Sequence, residues 1–210
     1  MRTRTSTIAI TAAAGAAAMA FAAPAQAAAL TWTVTNPQAS GAFTATSGPL
    51  TVRNAAGKVL VTCTSLTARG IATTHTSGTG SLGQINESQG SSCVNGQGRA
   101  WSVRIGSHWQ APLTGTAYNA ATGRSEITAG WAQYELSPAD GAPGCLIITK
   151  NTRLNYTNAT GVLRTTTAQA NVGTTSGGTS SCPDVAQNET LTFDTTFKVT
   201  PTLTITAKAA

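Results

Sequence analysis

The sequence predicts an all-β protein, an antiparallel β-sandwich or flattened β-barrel, that follows an N-terminal signal-peptide helix. Three observations predict this fold class. Apolar residues alternate with polar ones over several runs, and no segment after residue 27 shows the 3.6-residue spacing of a helix. Threonine, a β-branched residue that favours strands, occurs 35 times after residue 27. Short loops that begin with Asn and end with Gly separate the runs, as is typical of hairpins.

Residues 1–27 have the three parts of a secretory signal peptide. Arg2 and Arg4 give a charged start, an apolar run extends from Ile8 to Phe21, and Ala25-Gln26-Ala27 forms an A-x-A end. The apolar run has 14 residues, fewer than the roughly 20 that a permanent membrane-spanning helix needs. We therefore expect cleavage after Ala27, a secreted product, and one all-β domain over residues 28–210.

The charge of the chain limits its partners. After loss of the two N-terminal arginines, 11 basic and 7 acidic residues remain, and the basic ones are scattered. Because no basic run is present, we do not expect nucleic acid as a partner. A mild positive charge favours an anionic cell-wall polymer or membrane surface, and a cell-wall polymer or an extracellular glycan is the partner class we expect. No apolar tail follows Thr206, so no transmembrane anchor is expected.

The predicted strands follow from the alternation, in chain order. Leu30, Trp32 and Val34 alternate with threonines, and Val59, Val61 and Cys63 share one face. The same pattern recurs at Trp101, Val103 and Ile105, and it continues at Leu191, Phe193, Phe197, Val199, Leu203 and Ile205. Side chains spaced by two residues lie on one face of a strand, so these sets predict the core. The spacing predicts ten to twelve strands in all.

Three loops predict three hairpins. They are Asn54–Gly57, Asn119–Gly123 and Asn158–Gly161. In each, Asn can bond to its own backbone and Gly can adopt a positive φ at the exit. The expected strand pairs are 49–54 with 58–67, 109–118 with 124–136, and 153–156 with 162–168.

The four cysteines, Cys63, Cys93, Cys145 and Cys182, predict two disulfides in an exported chain. Three pairings are possible. A Ser-Ser-Cys triplet closes a Gly-rich excursion at both Cys93 and Cys182, each at a similar distance from the preceding cysteine. This echo favours Cys63–Cys93 and Cys145–Cys182. A zinc site is not expected, because there is no C-x-x-C and neither histidine is close to a cysteine pair.

The residues also resemble a known group of proteins. The resemblance is carried by Trp109, Tyr118–Gly123, Pro143-Gly144-Cys145, Tyr156–Gly161, Cys182 and Val199-Thr200-Pro201. These features are similar to those of small secreted actinobacterial proteins that are Thr- and Gly-rich and have four cysteines. The resemblance implies secretion, an all-β fold and disulfides, but it implies no activity, since most members are of unknown function.

The usual catalytic and cofactor motifs are weak. Gly78–Gly83 fits G-x-G-x-x-G, but no convincing helix follows, so no nucleotide cofactor is expected. Glu126 and Glu135 lie in one predicted strand run and, nine residues apart, fall on opposite faces, which weakens them as a glycosidase pair. There is no acidic calcium loop and no G-x-S-x-G elbow. No metal is expected.

Aromatic residues and one histidine are the remaining candidates. Trp32 and Trp101 are in phase with aliphatic neighbours and are expected in the core, whereas Trp109 and Trp131 are less clearly in phase. An exposed tryptophan can stack on a sugar ring or contact lipid. Of the two histidines, His75 and His108, His108 is the better candidate for a Ser-His-Asp arrangement.

The first expectation is therefore a secreted, non-enzymatic β-domain protein that acts at the cell surface or on an extracellular partner. One alternative is a polysaccharide- or lipid-binding module that uses Trp109 or Trp131. The other is a secreted hydrolase that uses His108.

Overall fold

A computed structural model describes residues 29–105, 110–130, 134–138, 145–174 and 182–210. Sixteen strands and no helix occur in these residues, which confirms the all-β prediction but exceeds the expected ten to twelve strands. The strands are β1 (Leu30–Thr35), β2 (Ala42–Ser47), β3 (Leu50–Arg53), β4 (Val59–Cys63), β5 (Ser65–Ile71), β6 (His75–Ser77), β7 (Ser81–Ser91), β8 (Val94–Asn95), β9 (Trp101–Ile105), β10 (Ala111–Asn119), β11 (Arg124–Ala129), β12 (Tyr134–Pro138), β13 (Cys145–Thr157), β14 (Val162–Thr174), β15 (Thr190–Thr200) and β16 (Thr204–Ala209).

Eight strands form a closed antiparallel barrel. Around the ring the order is β2, β5, β7, β10, β11, β13, β14 and β15, and β15 pairs with β2 again. Of the two predicted architectures, the structure therefore has the barrel. Closure pairs every edge of the ring, which removes the unpaired strand edges that an open sheet exposes.

The barrel wall has a second tier because three long strands each pair with two partners along one edge. Strand β7 pairs with β10 near its start and with β9 at Ser88 and Gln89. Strand β13 pairs with β12 at Ile147 and Ile148 and with β11 farther along. Strand β15 likewise pairs with β3 and then with β2. Strands β9, β12, β3, β4 and β8 thus extend the wall beyond the eight-stranded ring.

Alternation along the strands fills the barrel with apolar side chains. In β15 every second residue is buried, which places Leu191, Phe193, Phe197 and Val199 inside and Asp194 at the surface. The core includes large side chains from most other strands, among them Leu50, Leu66, Leu82, Leu136 and Ile147. The barrel is therefore a packed core rather than an open channel, as expected for eight strands.

One end of the barrel is covered by a three-stranded sheet in the order β16-β1-β6. From it, Trp32 is only 2% exposed, and its ring packs edge-on against Tyr118 with a centroid distance of 6.4 Å. A Cβ at Gly115 would lie 2.6 Å from the Trp32 ring, so only glycine allows this approach. We call this end of the molecule the Trp32 end.

Two side chains fasten the Trp32 end to the barrel. The Tyr156 hydroxyl donates to the Leu203 carbonyl at 2.8 Å and accepts from the Leu203 N–H at 3.0 Å. The Asn158 amide makes the same pair of bonds to Ile205, at 2.8 and 2.9 Å. Burial raises the pKa of Tyr156, against the smaller opposing effect of the bond from the Leu203 backbone. These bonds hold β16 beside β13, although the two are far apart in sequence.

The predicted hairpins are confirmed, with two differences. The expected run 58–67 contains β4, which pairs with β3, and the start of β5, which pairs with β2 and β7. Strands β3 and β4, β10 and β11, and β13 and β14 pair as expected across the three Asn-to-Gly loops. The expected run 124–136 is not one strand, however. It divides into β11 and β12, which pair with different parts of β13. Leu203 and Ile205 are buried in the core as expected, but β16 is not part of the barrel and pairs with β1.

Both disulfides have the predicted pairing, Cys63–Cys93 and Cys145–Cys182. The first joins the end of β4 to the segment after β7, and the second joins the start of β13 to the segment before β15. Because Cys145 and Tyr156 are at opposite ends of β13, the second disulfide lies at the end of the barrel opposite the Trp32 end. We call it the disulfide end.

The predicted signal peptide and its cleavage point lie outside the described residues. Within the described part of the chain, no helix is long and apolar enough to cross a membrane.

Candidate functional site

A polar groove crosses the outer face of three neighbouring barrel strands, β5, β7 and β9. It has a volume of about 590 Å³, and it is lined by Thr67, Arg69, Glu87, Ser88, Gln89, Ser91, Ser102 and Arg104. All of these described residues are polar or charged. We refer to this feature as the outer groove.

The register of the strands explains why these side chains meet. Thr67 is directly opposite Gln89, which in turn is opposite Arg104, so one row crosses all three strands. Arg69 is opposite Glu87, two residues from Gln89 on the same face of β7. Neighbouring strands are about 4.8 Å apart, so the long side chains of the two rows share one surface patch.

In the same three strands, the residues that alternate with those of the groove face the core. Leu66 and Ala68 of β5 and Val103 of β9 are buried, whereas Arg69, Gln89 and Arg104 are exposed. The apolar residues therefore anchor the wall, and the polar residues between them form the groove. The groove is part of the barrel wall, so its side chains are presented on a rigid surface rather than on a loop.

The groove has charged side chains of both signs. Arg69 Nη1 is 3.2 Å from Glu87 Oε1, and both side chains are more than half exposed. An exposed pair of this kind contributes about 0–1 kcal/mol to stability, so the pair is not needed to hold the strands together. With Arg104 added, the described lining has two guanidinium groups and one carboxylate, and Glu135 of β12 is the register partner of Arg104.

This arrangement suits binding of a hydroxyl-rich, negatively charged chain. Guanidinium groups hydrogen-bond to carboxylate or phosphate through a planar fork. Gln89 and the Ser and Thr hydroxyls provide both donors and acceptors for sugar hydroxyls. Retaining or inverting glycoside hydrolysis uses two carboxyl groups, and the described lining of the groove has one, Glu87, engaged with Arg69.

Three of the candidate residues from the sequence, His108, Trp109 and Trp131, lie outside the described residues. The predictions that they catalyse or bind therefore stay predictions.

The two other tryptophans are described. Trp32 is in the core as expected. Trp101 faces inward with Val103 but is only half-buried, because it lies at the disulfide end of the barrel, where the wall stops.

His75 has a structural role. Its Nδ1 is 2.7 Å from the Thr73 carbonyl oxygen and its Nε2 is 2.8 Å from the Ser81 carbonyl oxygen. Both ring nitrogens are thus occupied by the backbone, and His75 braces the turn between β6 and β7. A general base needs one nitrogen directed at a nucleophile, so this geometry does not suit His75 for catalysis.

The glycine-rich segment Gly78–Gly83 connects two strands, β6 and β7. The dinucleotide-binding motif requires a helix after the glycines, whereas here the chain continues as strand β7. The glycines instead allow close packing, since a Cβ at Gly83 would lie 2.4 Å from the Ile71 carbonyl oxygen.

The expectation for Glu126 and Glu135 needs correction. They are not in one strand run but in β11 and β12, opposite Asn155 and Ile148 of β13 respectively. Seven residues along a strand separate them by about 23 Å, too far for a catalytic pair. Among the described residues, no cluster of His, Cys, Asp or Glu could hold a metal ion.

Sequence reasoning did not identify the residues of the outer groove. Arg69, Glu87 and Arg104 are isolated charges in the sequence, and they meet only through strand pairing. One signal was present, because each lies at the polar phase of an alternating run.

Comparisons with models of protein families, with curated proteins and with solved structures gave no match to this chain.

Proposed function

We propose that this protein is secreted and works outside the cell as a non-enzymatic binding protein that recognises an anionic polysaccharide through the outer groove. The observation that carries the proposal is the row of Thr67, Gln89 and Arg104 beside the Arg69–Glu87 pair. It combines cationic forks with neutral hydrogen-bonding groups on an open surface. An open groove accommodates a chain that enters and leaves at both ends.

Three properties of the chain support an extracellular site of action. The first 27 residues have the pattern of a signal peptide, with Ala25-Gln26-Ala27 as the cleavage motif. The two disulfides fit an oxidising compartment. The resemblance to secreted actinobacterial proteins points the same way. Mass spectrometry of the protein from the culture medium of a bacterial host tests this part, and an N-terminus at Ala28 is expected.

Binding is tested with two forms of one polymer. Polygalacturonate carries a carboxylate on each sugar, and its fully methyl-esterified form has the same backbone without the charge. We expect immobilised polygalacturonate to retain the protein at low ionic strength and the ester to retain it at least tenfold more weakly. Salt screens exposed charges, and the Debye length shortens from roughly 14 to 4 Å as NaCl rises from about 0.05 to about 0.5 M. We therefore expect retention to fall over this range of concentrations.

Paired variants locate the binding surface. Arg69→Gln with Arg104→Gln is expected to weaken binding at least tenfold. Arg124→Gln with Arg164→Gln removes the same charge from exposed positions on β11 and β14, and it is expected to change binding less than twofold. Glu87→Gln, which releases Arg69 from its partner, is expected to strengthen binding.

Two outcomes contradict the proposal. Equal losses in the two double variants mean that net charge, rather than the groove, attracts the polymer. Equal binding of the acid and ester forms, unaffected by the groove variants, means that another surface binds the sugar backbone.

A further inference from the structure

A second cavity lies at the disulfide end of the barrel, separate from the outer groove. Its volume is about 400 Å³, which is within the usual range for small-molecule sites. Its lining comes from β4, β9, β12, β13, the turn after β8 and the segment 182–185. We call it the end pocket.

Apolar side chains form part of the wall of the end pocket. Trp101 is half-buried there, and Leu60, Ile147 and Val185 are buried around it. The Cys145–Cys182 disulfide forms a further part of the wall. Trp101 and Pro138 are register partners on adjacent strands, so the sheet fixes the backbone that carries the indole. A flat apolar body fits such a site, since an aromatic ring gains most from stacking on another ring.

The mouth of the end pocket is charged. Lys58 Nζ is 2.6 Å from Asp184 Oδ1, with 56% and 39% of the two side chains exposed, and Arg99 is also in the lining. Lys58 and Arg99 are thus the basic residues of the described lining, and Asp184 is the acidic one. An acidic group on a ligand would compete with Asp184 for Lys58.

The segment that carries Asp184 is held independently of its carboxylate. Asn54 Nδ2 donates to the Asp184 main-chain oxygen at 2.8 Å, and the Cys182 disulfide is two residues away. The Asp184 carboxylate can therefore exchange partners without release of the segment. The pocket is thus preformed, which lowers the entropic cost of binding.

From these observations we infer that the end pocket binds a small molecule with a flat apolar body of one or two rings and one carboxylate. The rings pack against Trp101, and the carboxylate lies at the mouth beside Lys58. This site is independent of the outer groove, which faces the outside of the wall, and the failure of one proposal leaves the other intact.

The test uses 2-naphthoate as the probe and 2-naphthamide as its uncharged counterpart. Titration of the ¹⁵N-labelled, disulfide-intact protein is followed by NMR. We expect 2-naphthoate to shift the indole N–H of Trp101 and the amides of Asn95, Gly96 and Asp184. We expect the amide to bind about three- to fivefold more weakly, the difference that one exposed ion pair provides.

Two substitutions at the mouth of the end pocket are expected to change the affinity for 2-naphthoate in opposite directions. Lys58→Met is expected to weaken naphthoate binding about three- to fivefold, and Asp184→Asn to strengthen it by a similar factor. Lys150→Met removes a lysine that contacts Asn188 elsewhere on the surface and is the matched control. Trp101→Leu keeps an apolar side chain but removes the ring, and it is expected to weaken binding at least tenfold.

The titration of the wild-type protein tests binding in the end pocket even if Trp101→Leu does not fold. Absence of a Trp101 indole shift at millimolar 2-naphthoate overturns the proposal. So does equal binding of the acid and the amide, or a loss in Lys150→Met as large as that in Lys58→Met.

Discussion

The contact between Tyr156 and Leu203 offers the most direct test of how the Trp32 end is held. Tyr156 is 1% exposed and Leu203 is 6% exposed, so water does not replace a bond that is lost there. The substitution Tyr156→Phe removes one oxygen atom and leaves the ring in place. It leaves both the N–H and the carbonyl of Leu203 without the partner they have in the folded protein.

The expected loss follows from these two groups. Each buried backbone group left without a partner costs about 1–3 kcal/mol. Removal of the buried hydroxyl itself offsets part of this cost, so we expect the free energy of unfolding to fall by about 2–4 kcal/mol. With a urea dependence of about 1–3 kcal/mol per molar, the unfolding midpoint moves down by roughly 1–2 M.

Equilibrium urea unfolding of the oxidised protein, followed by tryptophan fluorescence, measures this change. Tyr118→Phe is the control, because it removes the same atom from a half-buried tyrosine of β10 that packs against Trp32. A loss below about 0.5 kcal/mol in Tyr156→Phe, or equal losses in the two variants, would refute the argument that the paired bonds to Leu203 hold this end.

Two further predictions concern buried hydroxyl groups. Burial raises the pKa of Tyr156 above its ordinary value. The neutral hydroxyl therefore contributes its full stabilisation below about pH 10, and this contribution is lost as the pH rises through the folded-state pKa. From pH 8 to 11 the free energy of unfolding should fall less steeply in Tyr156→Phe than in the wild type, and parallel curves would contradict this. Thr165 and Thr195 are register partners inside the barrel, and the hydroxyl of each is buried without a partner among the described residues. Thr165→Val should therefore raise the free energy of unfolding by about 1 kcal/mol. The control Ser47→Ala removes the hydrogen bonds to Gly48 and Leu66 and should lower the free energy of unfolding by a similar amount. A loss of stability in Thr165→Val would show that its hydroxyl has a hydrogen-bond partner.

Local pattern predicted the parts of the fold that depend on near neighbours. The alternation around Phe193 and Phe197 follows from the two-residue period of a strand, and β15 has it without interruption. The three Asn-to-Gly loops predicted hairpins because turn chemistry acts within four or five residues. The cysteine pairing was predicted from a repeated triplet, and it is confirmed at both bonds.

The departures have one cause, which is pairing between segments that are distant in sequence. The run 124–136 divides because β13 offers one stretch of its edge to β11 and another to β12. Ile205 leaves the barrel because β1 provides it with a partner strand. Trp101 has the phase of a core residue, but its position at the end of the wall leaves it half-buried in the end pocket.

By itself, the sequence determined that the chain forms strands and which residues face inward on most of them, because these properties depend on alternation and short-range spacing. It favoured, but did not fix, the cysteine pairing that the structure has. Only the tertiary structure decided that the sheet closes into a barrel, and that Arg69, Glu87 and Arg104 meet on one face. The physical reason is that hydrogen bonds between strands can form at many registers. The register that buries the apolar sets together also sets which polar residues become neighbours on the outside.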